Sequence, residues 1–308
     1  MTGKEIFDLL RSWRFLILFM LIAFACLGSI YSSLSGFSDA VKKISGDDAF
    51  FFLRLFTVSD NSQYSFTILV SYLGPLLGIS LGFDAINSEH NKGTLSRLLS
   101  QPVYRDYIIL SKFIASLTVI SLLFIVLTLL VFGWGLINIG VPPTFDEVMR
   151  LISFTVLNIV YVAFWLNLSL FFSVWFRQAA TSALSGIAVW LFFSFFYGII
   201  MNLIIRGLVP KQIVSEAQAV AVNNFALELM RGNPCFMFTE ATSTLLIPES
   251  RSYWMYTPEQ YVGALPTPLP LGQSVLMVWP HVTFLVAGSI LLFALGYYAF
   301  MRREIRSR

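Results

Sequence analysis

The 308-residue chain is 57% hydrophobic and only 12% charged, with a mean hydropathy of +0.76. A soluble domain carries charge on about a quarter of its residues, so this composition excludes a soluble fold and describes an all-α integral membrane protein. The formal charge of +3 gives no case for a polyanion reader, and no nucleic-acid partner is expected.

Residues 1–14 open the chain with Ile6, Leu9 and Leu10 on one side and Lys4, Asp8 and Arg11 on the other, a pattern that suits a short helix lying in the inner interface and equally a simple extension of the first span. Six apolar runs follow, each long enough to cross a hydrocarbon core about 30 Å thick as helix. They lie at residues 15–34, 64–86, 108–134, 151–175, 182–205 and 275–301. The first has no small-x-small cleavage site after it and is too long for a signal-peptide core, so it reads as a retained span.

Six spans place both termini on one side, and Lys and Arg decide which. The N-terminus, the 84–112 connection, the 176–180 turn and the C-terminal tail hold 12 basic and 6 acidic residues; the opposite segments hold 8 basic and 11 acidic. The termini and the 84–112 connection are therefore expected in the cytoplasm. Arg14, Asp84 and Lys112 fall at inner span ends, where they are expected to snorkel.

The second span carries Gly74, Gly78 and Gly82 at spacings of four, and the fifth carries Ser182 and Gly186. Such stripes let another helix approach closely. Packing within one subunit, a subunit interface and a path-lining face all satisfy the pattern. Pro75 beside the glycines is a candidate kink.

The 206–274 segment reads as an extracytoplasmic helical subdomain: an amphipathic helix over 213–231 stopped by Gly232 and Pro234, a second over 236–246, then a proline-rich return to the membrane. Cys26 and Cys235 sit at different depths and are expected to be free. Met230, Cys235 and Met237 are soft donors of the kind that suits Cu(I), yet Met and Cys also simply pack, and no resident metal is expected.

The chain supplies no catalytic constellation. His90 and His281 are its only histidines and belong to opposite faces. Lys92, Gly93 and Thr94 lack the leading glycine and order of a phosphate-binding loop, so no ATP site is expected on this chain. No ionisable side chain lies near mid-span, against an ion-coupled transporter. Asn158 and Asn167 in the fourth span are expected to hydrogen-bond neighbouring helices, the alternative being contact with a polar solute.

One polar stretch interrupts the apolar pattern. In SEHNKGTLSRLLSQPVYRDY, residues 88–107, Leu95, Leu98 and Leu99 share one helical face, Gly93 allows a sharp turn before them and Pro102 stops the helix. The leucine stripe suits either lipid or a groove in a partner.

Glu89, Gly93, Thr94, Leu95, Leu98, Leu99, Ser100, Pro102, Val103, Arg105 and Lys112 resemble the E-x-x-x-G-T-L-x-x-L-L-S-x-P-V-x-R cytoplasmic signature of ABC-2 type permeases. Lys4, Glu5 and Arg11 at one end, and Phe300, Arg302, Arg303, Glu304 and Ile305 at the other, are similar to that family's termini. The resemblance implies a single domain over 1–308, in ABC-2 permease architecture: six transmembrane helices, a cytoplasmic coupling helix in 88–105 between helices 2 and 3, and an outer segment before helix 6. It implies a non-enzymatic permease subunit of an ATP-driven exporter in a prokaryotic inner membrane, surrounded by lipid. ATP and Mg would reside on two separate ATP-binding subunits, and the permease would pair with a second permease, identical or different. Carried over, Glu89, Gly93, Thr94, Leu95, Leu98 and Leu99 contact the ATPase, Arg105 and Lys112 anchor the segment at the inner interface, and Gly74, Gly78 and Gly82 form a lever. The longer outer segment is similar to that of permeases in nitrous-oxide reductase maturation, whose outer face engages an extracytoplasmic protein. That leaves a second reading, a mechanotransmitting subunit that drives an outer partner without moving solute.

Overall fold

A computed structural model describes residues 2–41, 53, 66–91, 93, 104–139, 142–208, 216–247 and 269–302, and these contain helix and turn but no strand. In chain order the helices are α1 (Thr2–Leu10), α2 (Trp13–Val41), α3 (Phe66–Gly82), α4 (Asn87–Asn91), α5 (Arg105–Ile139), α6 (Phe145–Trp175), α7 (Ala179–Leu191), a π turn (Phe192–Phe196), α8 (Tyr197–Leu208), α9 (Glu216–Met230), α10 (Pro234–Leu246) and α11 (Leu271–Arg302). Residues 92 and 94–103, with Thr94, Leu95, Leu98 and Leu99, lie outside the described residues, as do 209–215 and 248–268.

Among the described residues, five stretches are long and apolar enough to cross a membrane by themselves: 66–89, 105–137, 145–175, 179–208 and 271–302. Of the first expected span, α2, the part Trp13–Gly28 meets that standard together with α1, from which it is bent by 62° at Arg11 and Ser12. Ser12 marks the break by turning its hydroxyl onto the Leu9 carbonyl at 2.8 Å and accepting from the Phe15 amide.

α6 is the centre of the bundle. It packs on α3, α5, α7, α10 and α11, and Trp165, Tyr161 and Phe154 on it are fully buried. Its start is sharply defined by a capping box: Thr144 accepts from the Glu147 amide while the Glu147 carboxylate accepts from the Thr144 amide at 2.8 Å.

In a lipid solvent apolar contact alone gives helices little reason to associate, so close packing and interhelical hydrogen bonds must hold them. The α3–α6 seam uses both. A Cβ on Gly78 would stand 2.7 Å from the Val162 carbonyl oxygen and 2.9 Å from the Leu166 nitrogen, and one on Gly82 would stand 2.9 Å from the Leu166 carbonyl oxygen. The two backbones therefore touch where the glycines lie. Hydrogen bonds from Ser169 Oγ to the Ile79 carbonyl (2.9 Å) and from Tyr161 Oη to the Ser71 carbonyl (3.0 Å) staple the same seam. α3 runs through Pro75 without interruption. Elsewhere Thr128 meets Thr155 at 3.0 Å between α5 and α6, and Asn167 donates to Ser289 at 2.6 Å between α6 and α11.

The fifth span differs from the others: Ser182 and Gly186 are the buried residues of α7, and neither the π turn nor α8 buries any.

α9 and α10 form a cap on α6, α8 and α11, at the end of the bundle away from the N-terminus. Asn233 caps α10 by accepting from the Cys235 amide, with Pro234 at the first helical position. The other end of its amide donates to the Phe193 carbonyl in the π turn at 2.7 Å, so one side chain joins cap and span. Phe238 of α10 stacks on Tyr161 of α6, with centroids 4.1 Å apart.

Candidate functional site

The short helix α4 and the turn before it form a junction at the end of the bundle that carries the N-terminus. The chain leaves α3 at Gly82, turns through 83–86 and enters α4 at Asn87. Three independent ties hold this stretch. Asp84 pairs with Arg14 of α2, whose guanidinium also lies over the Phe83 ring at 5.1 Å. The Ile86 and Asn87 amides donate to Ser173 Oγ of α6 at 3.0 and 3.3 Å. Glu89 Oε1 of α4 lies 2.7 Å from Lys112 Nζ of α5, and Glu5 Oε2 of α1 lies 3.2 Å from the same nitrogen.

The last arrangement is the strongest electrostatic feature at this end. Lys112 is almost fully buried, which penalises an ammonium group heavily. Two carboxylates supply the compensating charge, and both bonds are charge-assisted. The expectation that Lys112 snorkels to the interface is therefore corrected: its side chain stays inside and joins α1, α4 and α5. Arg105, its predicted fellow anchor, is exposed at the start of α5. Glu89, assigned to the ATPase contact by resemblance, directs one carboxylate oxygen inward to Lys112. Gly93 has φ +68°, in the left-handed region that a glycine adopts without a steric penalty, so the chain turns sharply directly after α4.

α1 is a short helix, as expected. Ile6, Leu9 and Leu10 pack against the protein core, and Lys4, Phe7 and Arg11 are left facing outward. The apolar stripe is consumed by the contact with α5 that Glu5 helps to fix.

The glycine stripe starts at the junction and runs along α6, with Gly74 against Val162 and Tyr161. Gly186 of α7 lies against Ile79 of α3, and Ser182 is fully buried. All five predicted small residues thus sit in contacts or burial within one chain.

A second charged centre lies under the cap. Arg150 of α6 is fully buried; its Nε reaches Asp146 at 2.8 Å, its NH1 donates to the Leu245 carbonyl and to Ser274, and its NH2 donates to the Leu269 carbonyl at 2.6 Å. One guanidinium so clasps the end of α10 and the start of α11 to α6. Nearby in sequence, Glu240 of α10 takes two hydrogen bonds from Arg231 (2.7 and 3.0 Å) and lies 2.8 Å from His281 Nε2 of α11. Burial works against the charged carboxylate, but the bonds and charge of His281 and Arg231 outweigh it and hold Glu240 down at about 2. Sequence reasoning missed both centres. The i,i+4 spacing of Asp146 and Arg150 was the available signal for one; nothing local announces the other.

Met230 and Met237 are buried, and the Cys235 thiol faces Tyr161 Oη at 3.4 Å and Ser194 Oγ at 3.7 Å. Cys235 and Met237 are two positions apart on α10 and so point to opposite sides, which prevents both from binding one ion. Among the described residues no group of three or more His, Cys, Asp or Glu side chains is arranged to hold a metal. The two asparagines of α6 part company: Asn167 bonds Ser289, whereas Asn158 is fully buried with neither amide atom hydrogen-bonded.

A sequence profile described as ABC-2 family transporter protein matches residues 1–305. No curated protein sequence matches the chain significantly.

Proposed function

We propose, from the premise that this chain belongs to the ABC-2 transporter family, that it is the permease subunit of an exporter driven by two separate ATP-binding subunits. Family membership makes it a multi-pass membrane component that works with ABC ATPases and is not itself the ATPase. The finer reading places the 84–112 connection and both termini in the cytoplasm of a prokaryote, with residues 88–105 docking on the ATPase and a second permease completing the complex.

The observation that carries this reading is the tethering of α4. Residues 92–103 follow α4 and precede α5 in the chain, and Glu89–Lys112–Glu5, Asp84–Arg14 and the Ser173 bonds join α4 and the turn before it to α1, α2, α5 and α6. A push on the segment therefore reaches four helices through short polar links, and reaches the length of α6 through the glycine seam. ATP and Mg2+ act on the partner.

The test is expression with a cognate ATP-binding subunit. The unmodified permease co-purifies with it, and Leu95→Asp with Leu98→Asp abolishes co-purification. An ATPase that stays bound and equally active with the double variant overturns the reading. The mechanotransmitting alternative draws on the cap, which Arg150 fixes to α6 so that force reaches the outer surface. Transport in proteoliposomes favours export; ATP-dependent capture of an outer protein without transport favours transmission.

A further inference from the structure

We propose that the outward stripe of α1 is a binding surface for anionic phospholipid head groups of the leaflet on the N-terminal side. Lys4, Phe7, Asp8 and Arg11 stand at i, i+3, i+4 and i+7 and so share one face. The opposite face is spent on the protein, through Glu5 on Lys112 and the packing of Ile6, Leu9 and Leu10. The stripe has no such use: Phe7 is 61% exposed, Trp13 at the α1–α2 elbow is 79% exposed, and Lys4 and Arg11 have no ion-pair partner among the described residues.

The chemistry of this surface selects its occupant. Trp, with an apolar ring system and an N–H donor, prefers the head-group layer, and an exposed Phe beside it gains by entering the adjoining acyl boundary. Free Lys and Arg beside them supply the charge that an anionic head group lacks, and Asp8, the single acid on the stripe, leaves it net positive. Trp13 begins α2, and the 62° bend turns α1 away from the axis of that helix. The stripe borders the exposed Ile17, Met20 and Phe24 of α2, an apolar surface that suits lipid and not an acidic protein, which is why lipid is the better fit. The proposal does not depend on the ATPase reading.

Vesicle reconstitution tests it. Trp13 fluorescence, isolated as the part lost in Trp13→Phe, is quenched by brominated phosphatidylglycerol or brominated phosphatidylcholine at equal mole fraction. Quenching by the anionic lipid is expected to exceed that by the zwitterionic one, and the excess to shrink as salt rises from 0.1 to 1 M, where the screening length drops from about 10 to about 3 Å. Each basic residue near the surface is worth about fivefold in affinity, so Lys4→Gln with Arg11→Gln lowers the relative affinity for the anionic lipid by up to roughly 25-fold, enough to abolish the quenching excess. Lys4→Arg with Arg11→Lys keeps it. Equal quenching by both lipids, or an excess that neither salt nor the double variant alters, overturns the proposal. So does a double variant that keeps its lipid selectivity but no longer holds the ATPase, since the stripe then belongs to that protein.

Discussion

At the cap end Arg150 is fully enclosed and makes at least four hydrogen bonds, two of them to backbone carbonyls; at the N-terminal end Lys112 is shared between two side-chain carboxylates that keep some contact with solvent, and Arg14 is more than half exposed. The first arrangement has one solution, because the two backbone carbonyls, at the end of α10 and before the start of α11, cannot shift independently of α6 without losing the guanidinium. The second is made of side chains alone: Arg14–Asp84 is an exposed pair of the kind worth only about 0–1 kcal/mol, and the buried Lys112 ammonium is held by carboxylates on two flexible side chains. The cap is thus fixed to the bundle through backbone carbonyls, while the α4 junction is joined to it mainly through side chains, Ser173 on two backbone amides included, which have more freedom to re-pair.

The largest effect expected is on the seam that connects the two ends. Gly78→Val forces a side chain into the α6 backbone, and loss of folded protein is expected, read as aggregation in detergent gel filtration; normal behaviour would show that α3 and α6 separate easily. Next comes the cap clasp. Arg150→Ala leaves the Leu245 and Leu269 carbonyls buried without their donor and should destabilise by about 3–5 kcal/mol in detergent unfolding, the cost of breaking a buried charged network.

Acid probes the same end. Glu240 is held below its ordinary value of 4.5, so its contribution is complete above pH 4.5 and is lost as pH falls toward about 2. Thermal unfolding followed across that window should lose the contribution of Glu240 in the unmodified protein, and Glu240→Gln should flatten that part of the profile. The smallest stability change belongs to the junction: Lys112→Met is expected to cost about 1–3 kcal/mol, since it leaves two carboxylates partly hydrated. Its effect on coupling should exceed its effect on stability, seen as ATPase activity of the complex that no longer responds to permease conformation. A Lys112→Met permease as unstable as Arg150→Ala would erase the distinction between the ends.

Particular residues explain which features were legible in advance. Gly74, Gly78 and Gly82 announced a close approach because four-residue spacing is a local property, but the sequence left open whether the facing helix belonged to the same chain; backbone contact with Val162 and Leu166 puts it within the chain. Met230, Cys235 and Met237 looked like one cluster because they are near in sequence, and helix geometry turns neighbours two apart away from each other. Ile6, Leu9 and Leu10 formed an apolar stripe, as read, and only the fold shows that it packs on the core beside α5. The fifth span was expected as one helix; the π turn at Phe192–Phe196, tied to the cap by Asn233, depends on a contact across 40 residues.

The sequence by itself determined that this protein lives in a membrane as helices, because apolar runs of spanning length leave the backbone no other way to satisfy its hydrogen bonds. It also determined the family, through a signature held in consecutive residues. The tertiary structure alone decided which charges are neutralised and by what: Lys112 by Glu5 and Glu89, Arg150 by Asp146 with carbonyls of α10 and the approach to α11, Glu240 by Arg231 and His281. Several of these partners lie about 100 residues apart, and a pairing over that distance is fixed by how the helices pack, which no local pattern encodes.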